Sequence, residues 1–261
     1  MNTFFRDLRF GARVALRQPG SAILSVLVLA VGIGSSTAVF SVVNAVLIRP
    51  LPYREPDRLV ILWDNFTRLG MDKLGVKPAE YVDYREQSHV FEDIAAFSNL
   101  EVNISGDDTP ERLRAARVTA NLFALLGSEA SVGRMFREDD QKLGVDSIVI
   151  LSDGLWKRRF SSDPTIVGRT VTINGQPRTV LGIMPAGFEF PHRSFWFAEP
   201  AELWLPLVIT PEDVATRRGP FNLRVIARLN SDSSLERARS DMNAIAARLE
   251  NQYEGYRGPG G

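Results

Sequence analysis

From Gln18 to Ile48 the chain runs for 31 residues without a charged side chain. The 28 positions from Ser21 to Ile48 are apolar apart from scattered Ser, Thr and Gly and a late Asn44. A helix of that length would reach about 42 Å, against a hydrocarbon core of about 30 Å. Globular helices rarely run so far without a polar face, so residues 21–48 read as a transmembrane helix. A cleaved leader is the competing reading, with Ser36-Thr37-Ala38 as its small-residue cleavage site. The apolar run continues ten residues past Ala38, which favours an uncleaved anchor.

The flanks set the orientation. Residues 1–20 carry Arg6, Arg9, Arg13 and Arg17 against Asp7, a net of +3, whereas residues 49–261 hold 27 basic and 30 acidic residues. Positive charge stays on the cytoplasmic side, which places the N-terminus in the cytoplasm and the bulk of the chain across the membrane. The four arginines step by 3, 4 and 4 and share one helical face, with Phe5, Leu8, Ala12, Ala15 and Leu16 on the other. Residues 1–20 therefore read as a basic amphipathic helix in the lipid interface, whose arginines set topology or face a cytoplasmic partner. Pro19-Gly20 breaks it before the span. Within the span, Gly32, Gly34 and Ser36 form a small-residue surface suited to close helix packing.

The rest of the chain has ordinary globular composition, 44% hydrophobic and 24% charged. Its 31 basic and 31 acidic residues balance, so nucleic acid is not an expected partner. The absence of Cys removes disulfides and thiolate chemistry, and His89 and His192 are too few and too far apart to suggest a zinc site. Local patterns read as α+β. Arg58–Trp63, Phe91–Ile104, Ser147–Leu151 and Asn222–Leu229 are expected strands, the last half-buried through Leu223, Val225, Ala227 and Leu229. Arg169–Ile173 and Thr179–Ile183 form a hairpin across Asn174-Gly175. Helices are expected at Pro78–Gln87, at Asn121–Leu126 stopped by Gly127, and at Asp153–Phe160 capped by Ser152. The last helix presents Leu235, Ala238, Met242, Ile245 and Leu249, with Ser233 and Glu236 as its capping box. Glu111–Val118 is ambiguous on propensity alone.

No catalytic motif stands out. Asp107-Asp108 and Asp139-Asp140 read as solvated surface, and the weakest of the competing functions is an anchored hydrolase using Asp139 or Asp140. Trp63, Trp156, Trp196 and Trp204 read as core or rim anchors. No cofactor is expected.

Six collinear stretches carry a resemblance. They are Asn44–Trp63, Glu80–Phe97, Arg117–Phe136, Ile150–Pro191, Glu202–Leu207 and Arg224–Glu250. Together they resemble the MacB/FtsX-like ABC transporter permeases, in the duplicated form found in acidobacteria. The resemblance implies a transmembrane helix followed by a MacB-like periplasmic core domain over 49–254, with a flexible tail at 255–261. A porter-like βαβ subdomain would occupy 55–128 and 218–252, and a mostly-β subdomain would be inserted at 130–215. It makes Glu111–Val118 a strand. It also implies a non-enzymatic subunit of the inner membrane that couples ATP hydrolysis by a separate cytoplasmic ABC ATPase to movement of the periplasmic domain. Implied partners are that ATPase, the lipid bilayer, a second permease half in a homodimer or pseudo-dimer, and a periplasmic adaptor. Arg6, Arg9, Arg13 and Arg17 would face the membrane or ATPase, and Gly32, Gly34 and Ser36 would pack helices. Family members continue into further membrane helices, so a chain stopping at Gly261 is expected to be a fragment. An anchored extracytoplasmic binding or scaffolding module without an ATPase is the alternative.

Overall fold

The computed structural model describes residues 19–43, 51–66, 71–106, 109–145, 147–192, 199–217 and 219–253. The chain divides into two units, Met1–Pro50 and Leu51–Gly261. In the first, helix α1 (Pro19–Val43) spans 25 residues, about 38 Å at 1.5 Å per residue. Pro19 is its first residue, a position that tolerates the missing N–H. Ile23, Leu24, Val26, Leu27, Val28, Leu29, Val31, Ile33 and Phe40 are each more than half exposed. Their spacing carries apolar surface right round the helix instead of along one stripe. Gly32, Gly34 and Ser36 are exposed as well, and a Cβ at either glycine would meet nothing within 4 Å. The Ser35 hydroxyl donates back to the Gly32 carbonyl at 3.1 Å. Among the residues described with their side chains, no helix is long and apolar enough to cross a membrane; several side chains of α1 lie outside that set. Arg6, Arg9, Arg13, Arg17, Asn44–Ile48, Trp196 and the 255–261 tail also lie outside the described residues.

The second unit opens with a 3₁₀ turn, Pro56–Arg58, and strand β1 (Leu59–Leu62). A two-stranded ribbon follows, β2 (Asp64–Phe66) with β3 (Met71–Leu74), then helix α2 (Pro78–Gln87). The long strand β4 (Phe91–Ser105) turns into β5 (Glu111–Val118), and α3 (Leu122–Leu126) comes next. After β6 (Val132–Gly133) come β7 (Ile148–Leu151), α4 (Asp153–Phe160) and the hairpin β8 (Thr170–Ile173) with β9 (Gln176–Ile183). The chain closes through β10 (Leu203–Pro206), α5 (Pro211–Thr216), β11 (Arg224–Leu229) and α6 (Leu235–Gln252). This is the α+β class expected.

Local chemistry explains most boundaries. Pro78 occupies the first turn of α2, and Glu80 accepts from the Lys77 N–H to close a capping box. Ser152 caps α4 by accepting from Leu155 N at 3.1 Å. Asn174 and Gly175 take φ values of 50° and 75°, which matches the type I′ turn that suits a two-residue hairpin. Glu111–Val118 is a strand despite its helical propensity, because all eight residues pair with β4. Leu113 and Ala115 on one face and Ala116 and Val118 on the other are buried there. Two expectations shift. The cap of α6 is Ser234, whose Oγ accepts from Arg237 N at 3.2 Å, not Ser233. Leu235, at the start of the apolar face, stays 44% exposed while Ala238, Ile245 and Leu249 are buried.

Among the described residues nine strands form one sheet, ordered β1-β11-β4-β5-β10-β7-β9-β6, with β8 pairing β4 and β9. Two contacts are parallel, β5 with β10 and β7 with β9. Strand β4 is shared: Phe91–Phe97 pairs β11, Phe97–Ile104 pairs β5, and Ile104–Ser105 pairs β8. Helices α2 and α6 cover one face of β1, β11 and β4 around Tyr81, Tyr84, Val225, Ala227, Ile245 and Leu249. Phe97, Phe123, Phe190, Trp204 and Ile226 build a second core. A third gathers Leu113, Leu151, Leu155, Val180 and Leu203.

Candidate coupling joint

The segment that opens the second unit, 51–58, is short, has little regular structure, and is held at Leu51, Tyr53, Arg54, Glu55 and Arg58. Tyr53 is its anchor. Its ring is 6% exposed and sits 6.3 to 6.4 Å from the rings of Phe188, Phe190 and His192. Its hydroxyl donates to the Glu189 carbonyl at 2.5 Å. Burial, reinforced by the Glu189 charge, pushes the phenol far above its usual range, so Tyr53 stays neutral. Leu51 packs against the same core.

Next to Tyr53, the strap crosses the end of α3. Gly127 closes that helix at φ 73°, with Gly127 N bonded to Ala124 O and Ser128 N to Phe123 O, the paired reversed bonds of a Schellman ending. The Leu125 and Leu126 carbonyls are left as orphan acceptors. Arg54 N takes the one on Leu126 at 3.0 Å. The other is taken from beneath by Arg228 on β11, which is 0% exposed. Its guanidinium donates Nε and Nη2 to Leu125 O at 3.1 and 2.7 Å, Nη2 to Arg54 O at 2.6 Å, and Nη1 to Glu55 O at 3.0 Å. One side chain thus ties the strap, the negative end of α3 and the sheet together. Glu55 meets it in a left-handed conformation, φ 41°.

Outside this rivet lies a charged network. Glu92 on β4 accepts from Arg54, and from Arg58 Nη2 at 2.9 Å. Arg58 also donates Nε and Nη2 to Leu229 O at 2.9 and 2.7 Å and Nη1 to Glu55 at 2.8 Å. Burial works against the Glu92 charge, but the Arg54 hydrogen bond and the charges of Arg54, Arg58 and Arg228 outweigh it and hold the carboxyl below its usual range. Burial, with the Arg54 charge, lowers the Arg228 pKa, yet an arginine starts so far above neutrality that it remains charged.

A second clamp holds the other end of the unit. Arg217, just after α5, donates Nη1 and Nη2 to Asp83 on α2 at 2.5 and 3.1 Å and lies 3.5 Å over the Tyr253 ring at the end of α6. Chiefly through the Asp83 hydrogen bond, its pKa is raised.

The carboxylates singled out in the sequence have structural tasks. Asp140 is buried, accepts both Arg134 Nη atoms at 2.6 and 3.1 Å and caps the Arg137 N–H at 2.8 Å. Asp139 is exposed and pairs with Lys142 at 2.7 Å. Trp204 is fully buried, donating to Phe190 O at 3.3 Å, and Trp156 donates to Asp163 O at 2.8 Å. Asp107-Asp108 lies outside the described residues. Among the described residues no group of His, Asp or Glu could hold a metal ion. The joint residues Tyr53, Glu92 and Arg228, and Arg217 of the second clamp, were not singled out by sequence reasoning. One sign of Arg228 was present: Ile226 stands on the face of β11 assigned to solvent, and it is 0% exposed.

A family model described as the MacB-like periplasmic core domain matches residues 22–245. A domain described as part of a permease protein from Porphyromonas gingivalis superposes with a TM-score of 0.59 at 16% identity, covering 79% of this chain and 89% of that one. The periplasmic region of MacB from Actinobacillus actinomycetemcomitans gives a TM-score of 0.52 at 13% identity, covering 74% and 83%. At these identities the likeness is one of fold. No curated protein matches the chain.

Proposed function

The chain belongs to the family of MacB-like periplasmic core domains, and from that premise we propose that it works as the permease-type subunit of an ABC export or mechanotransmission system. In this reading α1 is the membrane anchor, with the N-terminus in the cytoplasm of a cell whose inner membrane it crosses and the second unit in the periplasm. Its 25 uncharged residues and exposed apolar side chains suit a lipid surround. Arg6, Arg9, Arg13 and Arg17 meet lipid headgroups or the cytoplasmic ATPase, while Gly32, Gly34 and Ser36 receive a neighbouring helix from a second permease half. A periplasmic adaptor completes the system.

The observation that carries the reading is the joint. Within the second unit, the segment from Leu51 to Arg58 is bonded to α3, β4 and β11. Motion arriving through the strap therefore passes into the sheet. Beyond it the domain divides as a porter-like part, 55–128 with 218–252, and an insert at 130–215. The insert shares one sheet with the porter-like part, through β10 on β5 and β8 on β4.

The absence of cysteine makes the test simple. Single cysteines are placed at Asn2 and at Leu143, which is 79% exposed. In intact spheroplasts a membrane-impermeant maleimide should label the Leu143→Cys protein and spare Asn2→Cys. Equal labelling of both would refute the topology. Co-purification should then recover an ABC ATPase with the parent chain and lose it when all four arginines become glutamine. An ATPase never recovered would leave an anchored binding or scaffolding module.

A further inference from the structure

Strand β2 meets helix α2 at the floor of a groove of about 400 Å³ between β1 and α6, walled by Val60, Leu62, Trp63 and Met242. Asp64 and Glu80 both reach into it. Glu80 is 2% exposed, accepts the Lys77 N–H at 2.9 Å and has Lys77 Nζ at 3.9 Å. Asp64 Oδ1 accepts from the Tyr84 hydroxyl at 2.8 Å. Asp64 Oδ2 is buried and finds no donor among the described residues. The Glu80 carboxyl lines the same groove and lies close enough to Asp64 for the two to share a proton.

Two neighbouring carboxyls that share one ammonium resist being ionised together where solvent is largely shut out, since each charge raises the cost of the other. As a bare carboxylate, Asp64 would leave Oδ2 unsatisfied and opposed to Glu80. With a proton on Oδ2, the orphan acceptor becomes a donor and Glu80 is its acceptor. We propose that Asp64 carries a proton at neutral pH, donates it to Glu80, and so fastens strand β2 to helix α2 as a proton-dependent latch beneath the groove. Burial is the largest influence on Asp64, followed by the Glu80 hydrogen bond and charge; the Tyr84 hydrogen bond and the Lys77 charge oppose them, and the midpoint is pushed up to about 9. From α6 the charged groups lining the same groove are Arg239 and Glu250. Loss of the proton puts two charges in contact and releases β2, and with it the β2–β3 ribbon, from α2.

The test is amide hydrogen exchange of the full chain in detergent, corrected for the intrinsic pH dependence of exchange, from pH 7 to 10. Protection of Asp64–Phe66 and Met71–Leu74, measured relative to β4, should fall about tenfold over the last unit of pH beyond the midpoint. Asp64→Asn places an amide N–H where the proton sits and keeps an acceptor for Tyr84, so its ribbon should stay protected at every pH. Glu80→Gln supplies a donor to an ionised Asp64 and should likewise abolish the pH dependence, which keeps the test open if either variant folds poorly. Protection in the parent chain that does not change with pH relative to β4 would overturn the proposal. Variants that both keep the parent's pH dependence would overturn it equally.

Discussion

Replacing Arg228 with methionine tests the joint most directly, because it keeps the stem of the side chain and removes every bond the guanidinium makes. Four N–H···O contacts to three carbonyls, on Leu125, Arg54 and Glu55, are lost together. Leu125 O and Arg54 O are left without a donor, while Glu55 O keeps the Arg58 N–H at 3.0 Å; at about 1.5 kcal/mol each, the cost is some 3 kcal/mol in sum. Part is returned, since methionine no longer buries a charge. A net loss of about 2–3 kcal/mol is expected, roughly 4–12 °C in Tm for a unit of this size. Arg228→Lys keeps the charge but offers a single ammonium where a fork is needed, and should lose about 1–2 kcal/mol. As a control, Arg158 also makes several bonds, to Glu111 and Glu202, but its side chain is 51% exposed, so Arg158→Met should cost under about 1 kcal/mol. Urea titration of the detergent-solubilised chain, followed by tryptophan emission, reads the right unit, because all four Trp lie after Pro50. An Arg228→Met protein within about 0.5 kcal/mol of the parent would refute the reasoning that this side chain holds the strap.

Gly127→Ala forces a Cβ to within 2.5 Å of Arg54 Cβ at a φ of 73°, and should cost about 2 kcal/mol in the same titration with the strap displaced. Tyr53→Phe removes the bond to the Glu189 carbonyl while keeping the ring, and should cost about 1 kcal/mol. Asp140 is held below the ordinary carboxylate value of 3.8, first by the Arg134 hydrogen bond, against its burial. Its contribution is therefore complete above that value and is lost as pH falls through the lower folded one. Acid titration of Asp140→Asn should lack this limb of the unfolding curve, and an unchanged acid midpoint would contradict the assignment.

Where one residue type does one job, the local structure could be read from the sequence alone. Pro78 opens α2, Ser152 caps α4 and Asn174-Gly175 turns the hairpin, because each satisfies a backbone need within three residues of itself. Reading failed where the determining contact is distant. Alternation in β11 marked Leu223, Val225, Ala227 and Leu229 as the inner face, and left Arg228 to solvent. The strand is covered on both sides, and Arg228 is needed by carbonyls 103 and 173 positions away in the chain. Glu111–Val118 shows the same limit: its alanines favour a helix locally, but between β4 and β10 they are small enough for a crowded sheet centre. Ser233 and Ser234 both suit a cap, and only the path of the chain selects the second.

Strand β4 begins beside Glu92 and runs 15 residues to Ser105, about 46 Å from first to last at 3.3 Å per step. Along nearly all of it the backbone is laced to a neighbour on one side or the other. It is therefore a splint: a strand laced along its length holds the registers of β11, β5 and β8 fixed relative to one another.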